Sequence, residues 1–132
     1  MKKVLKHRTT RIGLLLVPVG LLLCLKRYVS TPQYAFNRYM AAVRNGDIDT
    51  AKRLTTPRYF AALQAGDPND PLYQDRTWEK AIRDLLNAVW ERPDATHAHV
   101  TYTTATQRET WRYYLVETKE GWKIDKLGGG FY

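Results

Sequence analysis

The 132 residues contain a single cysteine, Cys24, so no internal disulfide can form and no thiol pair is present for redox work. Cys24 lies inside an apolar run, which leaves the rest of the chain without a thiolate for zinc or nucleophilic catalysis. Stability must therefore come from packing. Also missing are GxSxG, a P-loop, GxGxxG, HExxH and any Asn-x-Ser/Thr acceptor. Each of these motifs carries a mechanism, from a nucleophile elbow to a phosphate cradle, and without them no reaction is signposted. The expectation is no catalytic residue, no cofactor and no resident metal. Long apolar runs are scarce too: the stretch Ile12 to Leu25, IGLLLVPVGLLLCL, has fourteen uncharged residues. At 1.5 Å per residue it spans about 21 Å, against a hydrocarbon core of about 30 Å.

Acidic residues are absent from the first 27 positions. Lys2, Lys3, Lys6, Arg8, Arg11, Lys26 and Arg27 account for +7 of the formal +8, and residues 28–132 hold only +1. The basicity thus belongs to the segment around the apolar run, where it meets anionic lipid head groups, and not to a groove tracking phosphates. Nucleic acid is not an expected partner.

Residues 1–30 read as a basic N-terminus and membrane anchor. Arg11, Lys26 and Arg27 bracket the run and can snorkel outward along their methylene stems, and Tyr28 suits the interfacial belt. Pro18 removes one backbone donor, which membrane helices tolerate. A cleaved signal peptide needs small residues after the run, where this chain has Lys26, Arg27, Tyr28 and Val29. A lipoprotein needs a small residue before the acylated cysteine, and Leu23 is large. The reading is an uncleaved single-pass anchor. The basic excess ahead of the run favours a cytoplasmic N-terminus and an extracytoplasmic, periplasmic domain. Because the run is short, membrane lipids and neighbouring integral membrane subunits are the expected partners.

Residues 31–127 read as one α+β domain. Ser30-Thr31-Pro32 starts a helix whose Tyr34, Phe36, Tyr39, Met40 and Val43 form an aromatic stripe ending at Asn45-Gly46. Asp47 caps a short second helix with Ile48, Ala51 and Leu54 on one side. Tyr59, Phe60 and Leu63 form a third apolar turn before the loop GDPNDP at 66–71. Trp78, Ala81, Ile82, Leu85, Leu86, Val89 and Trp90 then fall at helical spacing, with Glu79, Lys80, Arg83, Asp84 and Glu91 on the other side and Pro93 as the stop. Beyond it the period changes to two. Residues 97–104 and 110–117 alternate as strands, Gly121 closes a tight turn, and 122–127 returns as a third strand. Helices first and an antiparallel sheet last is the α+β arrangement. Gly128-Gly129-Gly130 lacks a strand-to-helix setting, so 128–132 reads as a Gly-rich flexible tail.

The opening PQYAFNRYMAAVRNGDIDTAKRLT and the closing YYLVETKEGWKIDKL resemble the nuclear transport factor 2-like superfamily, the cystatin-like cone folds. The resemblance implies helices packed into a strongly curved, cone-like antiparallel sheet. Bacterial members with one N-terminal membrane segment are similar, and these are mainly binding or scaffold proteins. Enzymes of the same fold place acidic, His or Tyr residues inside the cone.

Two clusters invite a metal. His97 and His99 share a strand face, but the apolar Ala98, Val100 and Tyr102 take the other face, so the histidines look outward and lack a third ligand. Asp67, Asp70 and Asp75 are too irregularly spaced for a calcium loop and sit in a turn-rich segment. The aromatic excess offers one more site, a cone pocket with Tyr59, Trp111 and Tyr113 at its mouth. Two functions follow. The first is a non-enzymatic accessory or assembly subunit of a membrane complex. The alternative is a small-molecule binding or sensing module using that pocket.

Overall fold

The computed structural model describes residues 30–83, 88–103 and 109–131. The anchor read at 1–30, with Arg11, Lys26, Arg27 and Tyr28, lies outside them apart from Ser30. Among the described residues no helix is long and apolar enough to cross a membrane. Contacts divide the chain into two units, Met1–Thr31 and Pro32–Tyr132, and the fold below is that of the second.

This unit is α+β. Among the described residues four helices, α1 (Pro32–Asn45), α2 (Ile48–Arg53), α3 (Pro57–Gly66) and α4 (Tyr73–Arg83), precede four strands, β1 (Ala88–Asp94), β2 (His97–Thr103), β3 (Glu109–Thr118) and β4 (Gly121–Phe131). The strands form one curved antiparallel sheet in the order β1-β2-β3-β4. α1 begins on Pro32, whose fixed φ suits a first turn and whose missing N–H costs nothing there. Most of its aromatic stripe is buried: Phe36, Tyr39, Met40 and Val43 lie in the core, and Tyr34 is half-buried. Asp47 caps α2 by accepting from the Thr50 N–H at 3.2 Å. Gly46 at φ 70° and Gly121 at φ 110° make the two turns that an L side chain would resist.

Alternation along the strands sorts the sheet into two faces. Ala98 and Val100 of β2, Tyr113 and Leu115 of β3, and Trp122 and Ile124 of β4 point into the core. Phe36 of α1 packs among Trp90, Tyr102 and Tyr113, with ring centroids 5.6, 6.2 and 5.3 Å away. His97, His99, Thr101, Arg112, Tyr114 and Lys126 occupy the opposite face, where Arg58 of α3 reaches Asp125 at one side. The edge of β4 is closed at Ile124, whose N–H donates to the Leu54 carbonyl and whose carbonyl accepts from the Thr56 N–H, both at 2.8 Å.

Three sequence expectations change. The helix expected from Trp78 to Trp90 begins earlier and stops earlier, as α4, while Val89 and Trp90 lie in a fourth strand. A β-branched and an aromatic residue suit a strand, and β1 supplies backbone partners that the edge of β2 would otherwise lack. Pro93 is not a helix stop but sits where the β1–β2 register slips between Glu91 and Asp94, on an edge strand that has no need of its N–H. Second, Glu79 is buried rather than on the outer side of α4. Third, the tail is no flexible lead. Gly128 to Phe131 continues β4, pairing with Arg112 back to Glu109, so the folded unit runs past residue 127. The reason is backbone satisfaction: the first half of β3 needs a neighbour, and glycine adopts extended φ/ψ without hindrance.

Candidate functional site

The polar centre of the domain is on α4. Positions 75, 78, 79 and 82 share one helical face, and that face turns inward. Asp75, in the first turn of α4, is fully buried and Glu79 is 3% exposed. A helix start favours a carboxylate electrostatically, which is one reason Asp75 can be accommodated there. The other is a pair of tyrosines brought from separate helices. Tyr59 of α3 donates to Asp75 Oδ2 at 2.7 Å, and Tyr39 of α1 donates to the same oxygen. One turn along, Glu79 Oε1 accepts from Arg44 Nε of α1 at 3.0 Å.

Burial dominates the titration of this cluster. It pushes the Asp75 carboxyl above the usual carboxylate range, against the pull of the tyrosine hydroxyls. The Tyr39 and Tyr59 hydroxyls are pushed up by burial and then by the neighbouring Asp75 charge. Tyr113 of β3, fully buried, is raised for the same two reasons. Among the described residues the Trp78 indole nitrogen is buried without a hydrogen-bond partner, while Asp75 Oδ1 and the Tyr113 hydroxyl lie near each other without a hydrogen bond of ordinary geometry. Chemically this is a weak acid ringed by phenols. It can hold a proton at Asp75, which is fully buried in this structure.

The three residues expected at a pocket mouth all come to α4, though not as a mouth. Tyr59 reaches Asp75 by a hydrogen bond, and Tyr113 lies in the core where the Asp75 charge acts on it. Trp111 packs on Trp78, ring centroids 4.8 Å apart. Of the three, Tyr59 also lines a shallow surface groove, with Arg58, Ala62, Asp125, Lys126 and Leu127. Asp75 entered the sequence reading only as a discarded calcium ligand, and Tyr39 only as part of an apolar stripe. The signal that marks Asp75 is its place three, four and seven residues before Trp78, Glu79 and Ile82, a carboxylate on a face that must be buried.

The loop aspartates part company. Asp70 forms a two-pronged pair with Arg76, at 2.9 and 3.0 Å, which holds its carboxyl below the usual range. Asp67 accepts from the Asn69 and Asp70 N–H groups, both at 3.1 Å, fixing the turn. Among the described residues no group of three or more His, Cys, Asp or Glu is placed to hold a metal ion.

A second polar region lies on the outer sheet face, in a groove of about 530 Å³ lined by Arg58, Asp94, His97, His99, Tyr114 and Lys126, among others. Two strand irregularities line it, the β1 slip at Pro93–Asp94 and a bulge in β4 at Asp125, together with Arg58 of α3. The histidines do not meet on one ligand. His97 Nδ1 pairs with Asp94 Oδ1 at 2.9 Å, and His99 Nε2 with Glu91 Oε2 at 3.0 Å across the β1–β2 pair. Hydrogen bonds from His97 and then from the Thr96 N–H hold Asp94 down at about 2. For Asp125, partial burial works against ionisation, but hydrogen bonds from Arg58 and Thr56 outweigh it and keep the carboxyl below its usual range.

No protein-family model matches the chain, and no curated protein matches it in sequence.

Proposed function

We propose that the chain is a non-enzymatic single-pass membrane protein whose small domain serves as an accessory or assembly subunit of a membrane complex. The observation that carries this reading is the outer face of the sheet: the helices fill the inner face, and among the described residues the outer one carries exposed and half-buried polar and aromatic side chains that a partner can meet. The basic, acid-free segment 1–27 and its apolar run support a transmembrane tether with the domain on the extracytoplasmic side. On this reading the domain is a cone-like relative of the nuclear transport factor 2-like superfamily, with lipids and integral membrane subunits as its partners. The test is extraction of the full chain from its membrane in mild detergent, followed by native mass measurement. A heteromeric assembly is expected, and a monomer under every extraction condition would sink the reading.

A second reading, a small-molecule site in the interior, is favoured by one observation: among the described residues the buried Trp78 Nε1 has no hydrogen-bond partner, and Asp75 Oδ1 and the neighbouring Tyr113 hydroxyl make no hydrogen bond of ordinary geometry. A hydroxyl-bearing ligand reaching them would raise the melting temperature of the native chain and lose that effect in Asp75→Asn. The tight ring packing around Phe36 and Trp78 weighs against it.

A further inference from the structure

The outer face of the sheet carries a cluster that core packing does not require. Tyr114 stands at its centre, with the Lys126 ammonium 5.5 Å and the Arg112 guanidinium 5.9 Å from the ring centroid. The His99 ring lies 5.7 Å away. Register places them: His99 and Lys126 are the direct cross-strand partners of Tyr114, and Gly128 opposes Arg112. A side chain at Gly128 would begin in contact with the Tyr114 ring, 3.5 Å from its Cε2, so glycine leaves that flank of the ring open.

The carboxylates on this face are already engaged. Glu91 binds His99, Asp94 binds His97, and Asp125 accepts from Arg58 Nε at 2.9 Å and from Thr56 Oγ1 at 2.8 Å. Arg112 Nε donates to Thr101 Oγ1 at 2.8 Å, which orients the guanidinium. Among the described residues no carboxylate pairs with Arg112 or with Lys126. Two cations are thus held beside one ring without a counter-charge, positioned by Thr101 and by the ring itself.

We propose that this face docks an acidic segment of a partner protein, an extended peptide that crosses Tyr114 and presents carboxylates to Arg112 and Lys126. The inference rests on the interaction-module reading and names the chemistry of the partner. Acidic residues two apart on an extended peptide are about 7 Å apart on the same side, a spacing that flexible Arg and Lys side chains can meet. A polyphosphate chain or an anionic membrane fits less well. Its continuous negative charge would run over Glu91, Asp94 and Asp125, and a domain of net charge +1 exerts little long-range attraction on it.

The experiment uses the full chain in neutral detergent and a fluorescent peptide of alternating Ser and Glu, with anisotropy as the readout. Saturable, salt-sensitive binding is expected. The same peptide with Gln for Glu, and the double variant Arg112→Gln/Lys126→Gln, are each expected to bind about tenfold more weakly, the scale of two exposed ion pairs. Arg38→Gln, which removes a cation lying over Tyr34 on α1, is expected to leave binding unchanged. Equal affinity for the Gln peptide, or no weakening in the double variant, overturns the proposal. So does a double variant that loses more affinity for oligothymidylate or for phosphatidylserine vesicles, which the basic segment 1–27 also attracts, than for the acidic peptide. Survival of the native assembly in the double variant overturns this docking face and spares the accessory-subunit reading. Peptide binding without any native assembly supports the face and sinks that reading.

Discussion

Helices α1 and α4 pack against each other, yet they are held by different physics. α1 buries Ala35, Phe36, Tyr39, Met40, Ala42 and Val43, a face that is almost wholly apolar, with Tyr39 keeping its hydroxyl for Asp75. α4 turns Asp75, Glu79 and Ile82 inward. Removing apolar area from water stabilises the first at every pH, at about 25 cal/mol per Å². The second depends on hydrogen bonds and ion pairs whose worth changes with protonation. Two helices of similar length thus respond to different perturbations, one to cavities and the other to proton concentration.

The sharpest break in the comparison comes on α1. Phe36→Ala removes a ring packed among Trp90, Tyr102 and Tyr113 and is expected to cost about 3–5 kcal/mol, with little dependence on pH. Chemical denaturation of wild type and variant at two pH values measures both parts. A cost below about 1 kcal/mol would mean that the α1 face does not dominate the core.

Next in size is Tyr59→Phe, which deletes one donor to Asp75 Oδ2 and leaves the ring in place. The expected loss is about 1–2 kcal/mol, greater at high pH than at low, because the hydroxyl favours the ionised carboxyl over the neutral one. An identical loss across the pH range would show that Asp75 does not change protonation.

Arg44→Ala removes the guanidinium that donates to Glu79 Oε1. Since Arg44 is half exposed, the expected cost is about 1–2 kcal/mol, below that of breaking a wholly buried pair. Thermal melts in low and high salt would check it, with only a modest salt effect expected because Glu79 is buried.

The smallest effect on stability near neutral pH, and the most informative, is that of Asp75→Asn. The folded-state pKa of Asp75 is raised, so the folded chain keeps a proton that the unfolded chain releases. The resulting stability is fully present below the unfolded value near 3.8 and is lost as pH rises through the folded value. Asn cannot ionise, so the variant is expected to flatten that slope and to match or slightly exceed wild type at neutral pH. A variant as pH-sensitive as wild type over that window would assign the slope to other groups.

Much of the first comparison was legible in the chain itself. The α1 stripe, the Asp47 cap, the loop at 66–71 and the hairpin at Gly121 rest on local chemistry, namely apolar spacing, side-chain capping and positive φ, and the structure shows each where its residues place it. The Asp75 cluster was not legible. Its four members are drawn from α1, α3, α4 and β3, and nothing local distinguishes Tyr39 or Tyr59 from any other core aromatic. β1 escaped for a different reason. Val89 and Trp90 fit a helical repeat that began at Trp78 as well as they fit a strand, and only the open edge of β2 decides between them.

By itself, the sequence determined the separation of a basic, acid-free N-terminal segment from a near-neutral domain, the order of helices before strands, and the two faces of the sheet. These follow from charge count and from periods of 3.6 and two, which need no distant partner. Tertiary structure alone decided that a helix would carry its carboxylates inward, that a glycine triplet would complete an edge strand, and that Arg112 and Lys126 would meet at Tyr114. Those outcomes depend on which backbone groups and side chains remain unsatisfied once the elements are assembled, and that is a property of the whole fold rather than of any segment.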